Sequence, residues 1–336
     1  MQYNKSMITL RQCHDKEEWD DYILENGGHP LQLWGWGETK ATNGWSVVRL
    51  FALNEDDKPT GAAQILIRHL PLPFKSLSYI PRGPVTDENG RGLLLESLAE
   101  YVKEKFHSVA LTIEPDSVEF EVPSQWKLSN NHVLPARTII LDIKKSESDL
   151  LSVMAKKTRQ YIRKSASEAI KIKTVHGRAD IEKCLDIYSE TAKRAKFSLH
   201  EDQYYIDVFN RLGENSAIFA AYVDDQPIAF LWIAISADTA YELYGGVNEL
   251  GQQLRSNYAL KWHAIRKCKE WGLSRYDFGG LIEGGVTTFK MGWTDTETNL
   301  IGTFDRPLSP LYSVYCKALP LAKKTLQKFK SLLRHR

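Results

Sequence analysis

The apolar positions of this chain fall into short alternating runs broken by polar turns, and these runs are separated by stretches with helical spacing. From Trp45, the segment WSVVRLFALNEDDKPTGAAQILI places β-branched and other apolar residues on both sides of a polar turn, which predicts a hairpin. SLSYIPRGPV follows as a third strand. Asp87-Glu88-Asn89-Gly90 supplies N-cap chemistry for a helix to about Lys105, with Leu95, Leu98, Val102 and Phe106 on one stripe. SVALTIEPD then closes a β-β-β-α-β unit. The second half repeats that order. SAIFAAYVDDQPIAFLWIAIS predicts another hairpin, AYELYGGVNE a third strand, Asn257 to Gly272 a helix with Tyr258, Trp262, Ile265 and Cys268 on one face, and SRYDFGG the closing strand. Pro59 and Pro227 occupy matching places 168 residues apart. Residue identities do not repeat, so the repeat is one of element order.

Between the copies lies a predicted helix over 146–169, opened by Ser146-Glu147-Ser148-Asp149. After the second copy, Pro307 and Pro310 introduce a terminal helix whose apolar positions Leu311, Tyr315, Ala318, Ala322, Leu326, Phe329 and Leu333 keep a three-four spacing, with Pro320 a kink or restart. These elements divide the chain into a first domain over 1–145, which the terminal helix 307–336 is expected to rejoin, and a second domain over 146–306.

At 336 residues, with 43% apolar and 26% charged residues and 9 Trp, the chain is excluded from the disordered, collagenous and coiled-coil classes. Its longest apolar runs, such as Ile228 to Ala237, fall short of the roughly 18–20 residues that cross a bilayer. The polar, acidic N-terminus lacks the apolar stretch of a secretory signal, so a cytoplasmic location is expected. Cys13, Cys184, Cys268 and Cys316 are scattered, with no spacing suited to a metal, and are expected as free thiols. The net charge of +2 conceals a division: residues 1–145 carry a net of −4, whereas the segment from Pro307 carries seven basic residues and no acidic one. A second basic cluster, Lys156, Lys157, Arg159, Arg163 and Lys164, falls mostly on one side of a helix. Local clusters of this kind attract polyanions or anionic membrane surfaces whatever the total charge.

The β-β-β-α-β order resembles the core of the GNAT acyltransferases. In that family the pyrophosphate of acyl-CoA rests on backbone N–H groups at the start of the central helix, where glycines permit close approach. The corresponding stretch here is Gln253-Leu254-Arg255-Ser256-Asn257-Tyr258, without glycine, and Asn89-Gly90-Arg91-Gly92 in the first copy is a weak match. CoA is therefore not expected as the acyl carrier, and neither another cofactor nor a metal is called for. The expected fold class is α/β (α+β): two tandem GNAT-like domains with mixed sheets flanked by helices and a basic amphipathic C-terminal helix.

Two such domains in tandem, the first opening with an aromatic Gly-Trp segment, resemble the Fem family of non-ribosomal peptidyltransferases. The resemblance spans nearly the whole chain. It rests on Gly35-Trp36-Gly37-Glu38-Thr39-Lys40, Tyr79 to Val85 (YIPRGPV), Ile113-Glu114-Pro115-Asp116, Lys156 to Lys164, Tyr244-Gly245-Gly246, and Tyr276-Asp277-Phe278-Gly279-Gly280 with the later Phe289-Lys290. The glycine-adding members carry a long helical arm in the second domain. This chain has room for only one helix near 146–169, and so is closer to the short, arm-less members that add the first bridge residue.

The resemblance implies transfer of Gly, Ser or Ala from aminoacyl-tRNA to the stem peptide of a peptidoglycan precursor, lipid II or UDP-MurNAc-pentapeptide. Lys290 would neutralise the developing oxyanion or the terminal tRNA phosphate, and Glu114 or Asp116 would orient or deprotonate the acceptor amine. Lys40 and Arg82 would meet the sugar-nucleotide part of the precursor, and Tyr204 and Tyr244 would line the peptide channel. His200 stands where the short members have a phosphate-gripping arginine. Trp36 with Trp34, and Lys156, Lys157, Arg159, Arg163 and Lys164, offer stacking and charge to tRNA. The basic stretch 311–336 would touch the inner membrane surface. Two other readings remain open from the residues: a GNAT-like N-acyltransferase on another amine in polysaccharide or lipid assembly, and a non-catalytic membrane-associated binding module.

Overall fold

A computed structural model describes residues 8–166, 170–282 and 284–320. The chain forms two compact units: one contains residues up to 22, 40–134 and 300 onward, the other 23–39 and 135–299. In chain order the elements begin with β1 (Thr9–Gln12), α1 (Lys16–Glu25), α2 (Trp34–Ala41), β2 (Ser46–Leu53), β3 (Pro59–His69), β4 (Ser76–Pro81) and β5 (Val85–Thr86). They continue with α3 (Arg91–Phe106), β6 (Ser108–Glu114), β7 (Lys127–Leu128), β8 (Arg137–Thr138), β9 (Ile140–Asp142), α4 (Glu147–Val153), α5 (Lys156–Ala166), β10 (Lys171–Val175), α6 (Arg178–Ala195) and α7 (Asp202–Leu212). The remainder are β11 (Ser216–Val223), β12 (Gln226–Ser236), β13 (Thr239–Val247), α8 (Glu249–Gln253), α9 (Ser256–Glu270), β14 (Arg275–Asp277), α10 (Gly285–Met291), β15 (Thr298–Asn299) and β16 (Phe304–Pro307), then a helix over 312–320.

The first unit is built on one sheet of order β1-β2-β3-β4-β6-β16-β7, with β5 also pairing β3. Only β4 and β6 pair in parallel, and α3 packs Leu94, Leu95, Leu98 and Val102 into the core beside Ile65, Ile80 and Ile113. The second unit repeats this around β10-β11-β12-β13-β14-β9, with β13 and β14 the parallel pair and α9 placing Leu260, Ala264, Ile265 and Cys268 into its core. Both β-β-β-α-β units sit where the hydrophobic pattern predicts them. The matched prolines lie at equivalent points: Leu53 pairs with Pro59 and Tyr222 with Pro227, each beside a register shift. The second hairpin closes on Asp224 and Asp225, both with positive φ (48° and 56°), the geometry of a tight turn that matches strand twist.

Other expectations need correction. The single helix over 146–169 is two helices. Ser146 caps α4 through Asp149 N (3.1 Å), but Met154 is buried in an extended conformation and Ala155 N donates to Gly292 O (3.0 Å), which pulls the chain out of helix before α5. Helices α6 and α7, which the sequence reading passed over, follow. The domain limits also shift, because strand pairing overrides composition: β9 joins the second sheet by pairing β14, and β16 joins the first between β6 and β7. The terminal helix begins at 312, and Tyr315 packs against Phe74 in the first unit at 5.7 Å between ring centroids. Its basic part beyond residue 320 lies outside the described residues. Among the described residues no helix is long and apolar enough to cross a membrane, and the four cysteines are free.

Candidate active site

In open α/β sheets, ligands gather at the carboxyl ends of parallel strands. In the second unit the pairing of β13 and β14 runs from Thr239/Arg275 to Tyr241/Asp277; beyond that point they part and leave a wedge. Asp277 Oδ1 accepts from Gly279 N (2.7 Å) and Thr138 Oγ1 (2.5 Å) and so pins the turn that leaves β14. Gly279 has φ +65°, and a Cβ there would lie 2.6 Å from Glu242 O, so backbone rests directly on backbone. A Cβ on Gly280 would strike Pro135 at 2.3 Å. Lys290, from α10, reaches back and donates to Gly279 O (2.9 Å) and Gly280 O (3.1 Å). Burial pushes its proton affinity below the usual lysine range, while Glu242 and Asp277 oppose that shift. Lys290 is thus a cation held by carbonyl dipoles, with no carboxylate bonded to it among the described residues.

The same strand brings three further candidates together. Tyr244 of β13 and Tyr204 of α7 are hydrogen-bonded, and the His200 ring stacks on Tyr204 at 4.0 Å with an interplanar angle of 22°. Tyr188 and Tyr205 meet Tyr244 edge-on or tilted at 5.9 and 5.0 Å, completing an aromatic wall. Burial pushes Tyr204 up to about 12 and Tyr244 well above the usual phenol range, so both hydroxyls stay protonated and act as hydrogen-bond partners, not bases.

Trp36 requires correction as a stacking surface. It is only 8% exposed, in a helix pressed so closely on the end of α7 that a Cβ on Gly35 would lie 2.0 Å from Arg211 O. The basic cluster also divides. Lys156, Lys157, Arg163 and Lys164 are exposed along α5, but Arg159 is half-buried, and its Nη1 donates to Leu151 O, Ser152 O and Met154 O at 2.8 to 3.2 Å. Arg159 caps the carbonyl end of α4 and stitches the break between α4 and α5. Sequence spacing did not pick out Arg255, whose guanidinium lies 4.4 Å from the centroid of the Tyr161 ring; Lys157 lies over the same ring at 5.6 Å.

In the first unit the parallel pair ends at Pro81/Glu114, which sets Arg82 and Glu114 at the ends of adjacent strands. Glu114 is 1% exposed and accepts from Val133 N (2.7 Å), Leu134 N (3.1 Å), Thr303 Oγ1 (2.7 Å) and the Tyr79 hydroxyl. Four donors occupy the carboxylate, so it anchors the 133–134 loop and residue 303 to the sheet and does not serve as an available base. Asp116 is half-buried just past the strand. Arg82, with φ 51°, is half-buried and acts electrostatically on Tyr79. Lys40 is pushed down to about 8 by burial.

The start of α9, where a GNAT enzyme would seat the CoA pyrophosphate, does not suit that group. Ser256 is fully buried with its hydroxyl turned to Gly251 O (3.1 Å), and Tyr258 packs against Tyr161 and Phe289 at 5.0 and 4.9 Å. Among the described residues no group of three or more His, Cys, Asp or Glu is placed to hold a metal.

Residues 15–144 match the FemAB family, and residues 153–291 match the acetyltransferase (GNAT) domain. The first half of the chain is thus similar to the FemAB family and the second half to the GNAT domain. Among its relatives is the Lipid II:glycine glycyltransferase of Staphylococcus aureus (strain MRSA252), 24% identical over 95% of this chain and 98% of that protein. That comparison runs over 417 aligned positions against 336 residues here, so the relative carries inserted segments that this chain lacks. The crystal structure of FemX superimposes with a TM-score of 0.80 at 19% identity, covering 91% of this chain and all of that one. A tandem GNAT protein from the clavulanic acid biosynthesis pathway gives a TM-score of 0.55 at 11% identity over 90% of this chain and 99% of its own. The tandem GNAT-like, mixed α/β architecture of this chain is thereby shared with known structures.

Proposed function

We propose that this protein is an aminoacyltransferase that moves an aminoacyl group from aminoacyl-tRNA to the stem-peptide amine of a peptidoglycan precursor, lipid II or UDP-MurNAc-pentapeptide. The observation that carries the reading is Lys290, held by the Gly279 and Gly280 carbonyls in the wedge past the parallel strands. Support also comes from relatives that are lipid II:glycine glycyltransferases and align with nearly the whole chain. The acceptor nitrogen attacks the ester carbonyl carbon, the N–C bond forms, and the C–O bond to the terminal ribose breaks. The acceptor ammonium first gives one proton to solvent to become the attacking amine, and the second proton that its nitrogen loses passes to the departing ribose oxygen. The ester is already activated, so alignment and charge supply most of the acceleration, and a side-chain nucleophile is not needed. Lys290 meets the oxygen on which negative charge grows. His200 and Tyr244, backed by the buried Tyr204, give the peptide a wall of rings and hydroxyls, and Lys40 and Arg82 supply cations for the precursor's phosphates. The exposed lysines of α5, with Arg255 and Tyr161, offer the tRNA end charge and a ring to stack on.

The deciding experiment incubates the protein with glycyl-, seryl- or alanyl-tRNA labelled in the amino acid and with each precursor. Label is expected on the stem-peptide amine with at least one pair. If all six combinations remain unlabelled, the reading is wrong.

A further inference from the structure

An array of buried charge lies behind Lys290. Lys261 of α9 donates to both oxygens of Glu242 of β13, at 2.6 and 2.7 Å, and the Tyr276 hydroxyl donates to the same carboxylate at 2.8 Å. The two charged side chains are only 4% and 8% exposed. A fully buried ion pair seldom adds net stability, because two charges leave water to form it, so its presence asks for another role. The Lys261 ammonium also faces the rings of Phe278 at 4.2 Å and Phe289 at 5.1 Å. Phe278 precedes Gly279, whose carbonyl accepts from Lys290, and Phe289 precedes Lys290 itself. One ammonium therefore contacts both the turn that holds Lys290 and the helix that carries it.

We propose that Glu242, Lys261 and Tyr276 are positioning residues for Lys290: they clamp the Gly279–Gly280 turn and α10 about one buried cation and fix the field in which Lys290 keeps its proton. The proposal rests on Lys290 being the group that meets the developing charge. Among the described residues the charged groups facing Lys290 are Glu242 from β13 and Asp277 from β14, which favour its ammonium, and Lys261 from α9, which Lys290 repels. The two halves of the pair therefore act with opposite sign. Removing the negative charge leaves two neighbouring ammonium groups with less compensation, and removing Lys261 leaves Glu242 free to favour Lys290.

The test follows the Lys290 side chain by NMR in protein labelled with [ε-13C]lysine, its resonance assigned by its loss in Lys290→Gln, alongside the pH dependence of aminoacyl transfer. Glu242→Gln is expected to lower the Lys290 titration midpoint by about one pH unit, and Lys261→Met to raise it by about as much. The alkaline limb of kcat should move the same way, with KM changed less than threefold. Midpoints that stay within a few tenths of wild type, or that move in the same direction in both variants, overturn the proposal. Each single change strands a buried charge, so Glu242→Gln/Lys261→Met, which removes both, is measured beside them. It should fold and lose at least tenfold in kcat at constant KM; an unchanged kcat also overturns the proposal. Midpoints that move as expected in a protein that transfers no aminoacyl group would sink the functional reading and leave the array standing. Active protein with unmoved midpoints would do the reverse.

Discussion

At the scale of single residues, burial decides which of the chemically suitable side chains are available for chemistry. Glu114 ends β6 and Lys290 stands in α10 after the loop that leaves β14, and the sequence offers both as chemically suitable groups. Glu114 is spent on four donors, whereas among the described residues Lys290 is bonded to carbonyl oxygens alone. Glu114→Gln should therefore behave as a stability variant: an amide N–H set against donors that need an acceptor costs about 2–4 kcal/mol, read as a lowered Tm, with kcat at permissive temperature within a few-fold of wild type. Lys290→Met should do the opposite, holding Tm within a few degrees and cutting kcat by orders of magnitude. A collapse of kcat at full stability in Glu114→Gln would return that carboxylate to the chemistry. Lys40 gives a pH signature. Its ammonium is the charged form below about 8 and is lost above it, so precursor KM should rise between pH 7 and 9. Lys40→Arg, which keeps its charge throughout, should flatten that rise; a parallel rise in both proteins would remove Lys40 from phosphate recognition.

At the scale of elements, the sequence pattern located both β-β-β-α-β units because alternation and helical stripes are set by the faces that must be buried. It did not separate neighbours on one helix. Lys156, Lys157, Arg159, Arg163 and Lys164 form one basic cluster in the sequence, yet Arg159 turns inward because the chain breaks at Met154 and leaves three carbonyls to be capped. That break was not legible, since its cause is a hydrogen bond from Ala155 N to Gly292 O, 137 positions away. The Glu242–Lys261 pair is illegible for the same reason: Lys261 is one of several basic residues in α9, and its partnership with Glu242 of the apolar β13 shows only when strand and helix meet. The division within α5 has a measurable consequence. Reversing Lys156, Lys157 and Arg163 to Glu should raise the KM for aminoacyl-tRNA at least tenfold and reduce its salt dependence, with Tm nearly unchanged. Arg159→Ala should lower Tm, for about 1–3 kcal/mol of lost carbonyl capping, and leave the salt dependence as it was. If Arg159→Ala behaves like the charge reversals, the capping role is wrong.

At the scale of the whole molecule, the chain gives residues 23–39 to the second unit, leaves the first again near residue 134 to build the rest of the second, and returns at residue 300 to complete the first. The return does more than add an edge strand. β16 pairs with β6 on one side and β7 on the other; Thr303 supplies a donor to Glu114, Asp305 accepts from Thr112 (2.6 Å) and Tyr312 (2.9 Å), and Arg306 pairs with Glu96 (3.0 Å). A chain ending at residue 299 would leave Glu114 and Thr112 short of partners inside the core and expose the edge of β6, a site for aggregation. Such a truncation should yield insoluble protein. Ending the chain at residue 320 keeps every one of these contacts and removes only 321–336, where six basic residues stand with no acidic one. That shorter protein should match the full chain in Tm. If the tail is the part that meets an anionic bilayer, it should no longer sediment with phosphatidylglycerol vesicles, while its transfer to the soluble UDP-linked precursor is retained and transfer to lipid II in vesicles falls. Equal sedimentation of the two proteins would move any membrane contact off the tail and onto another surface of the molecule.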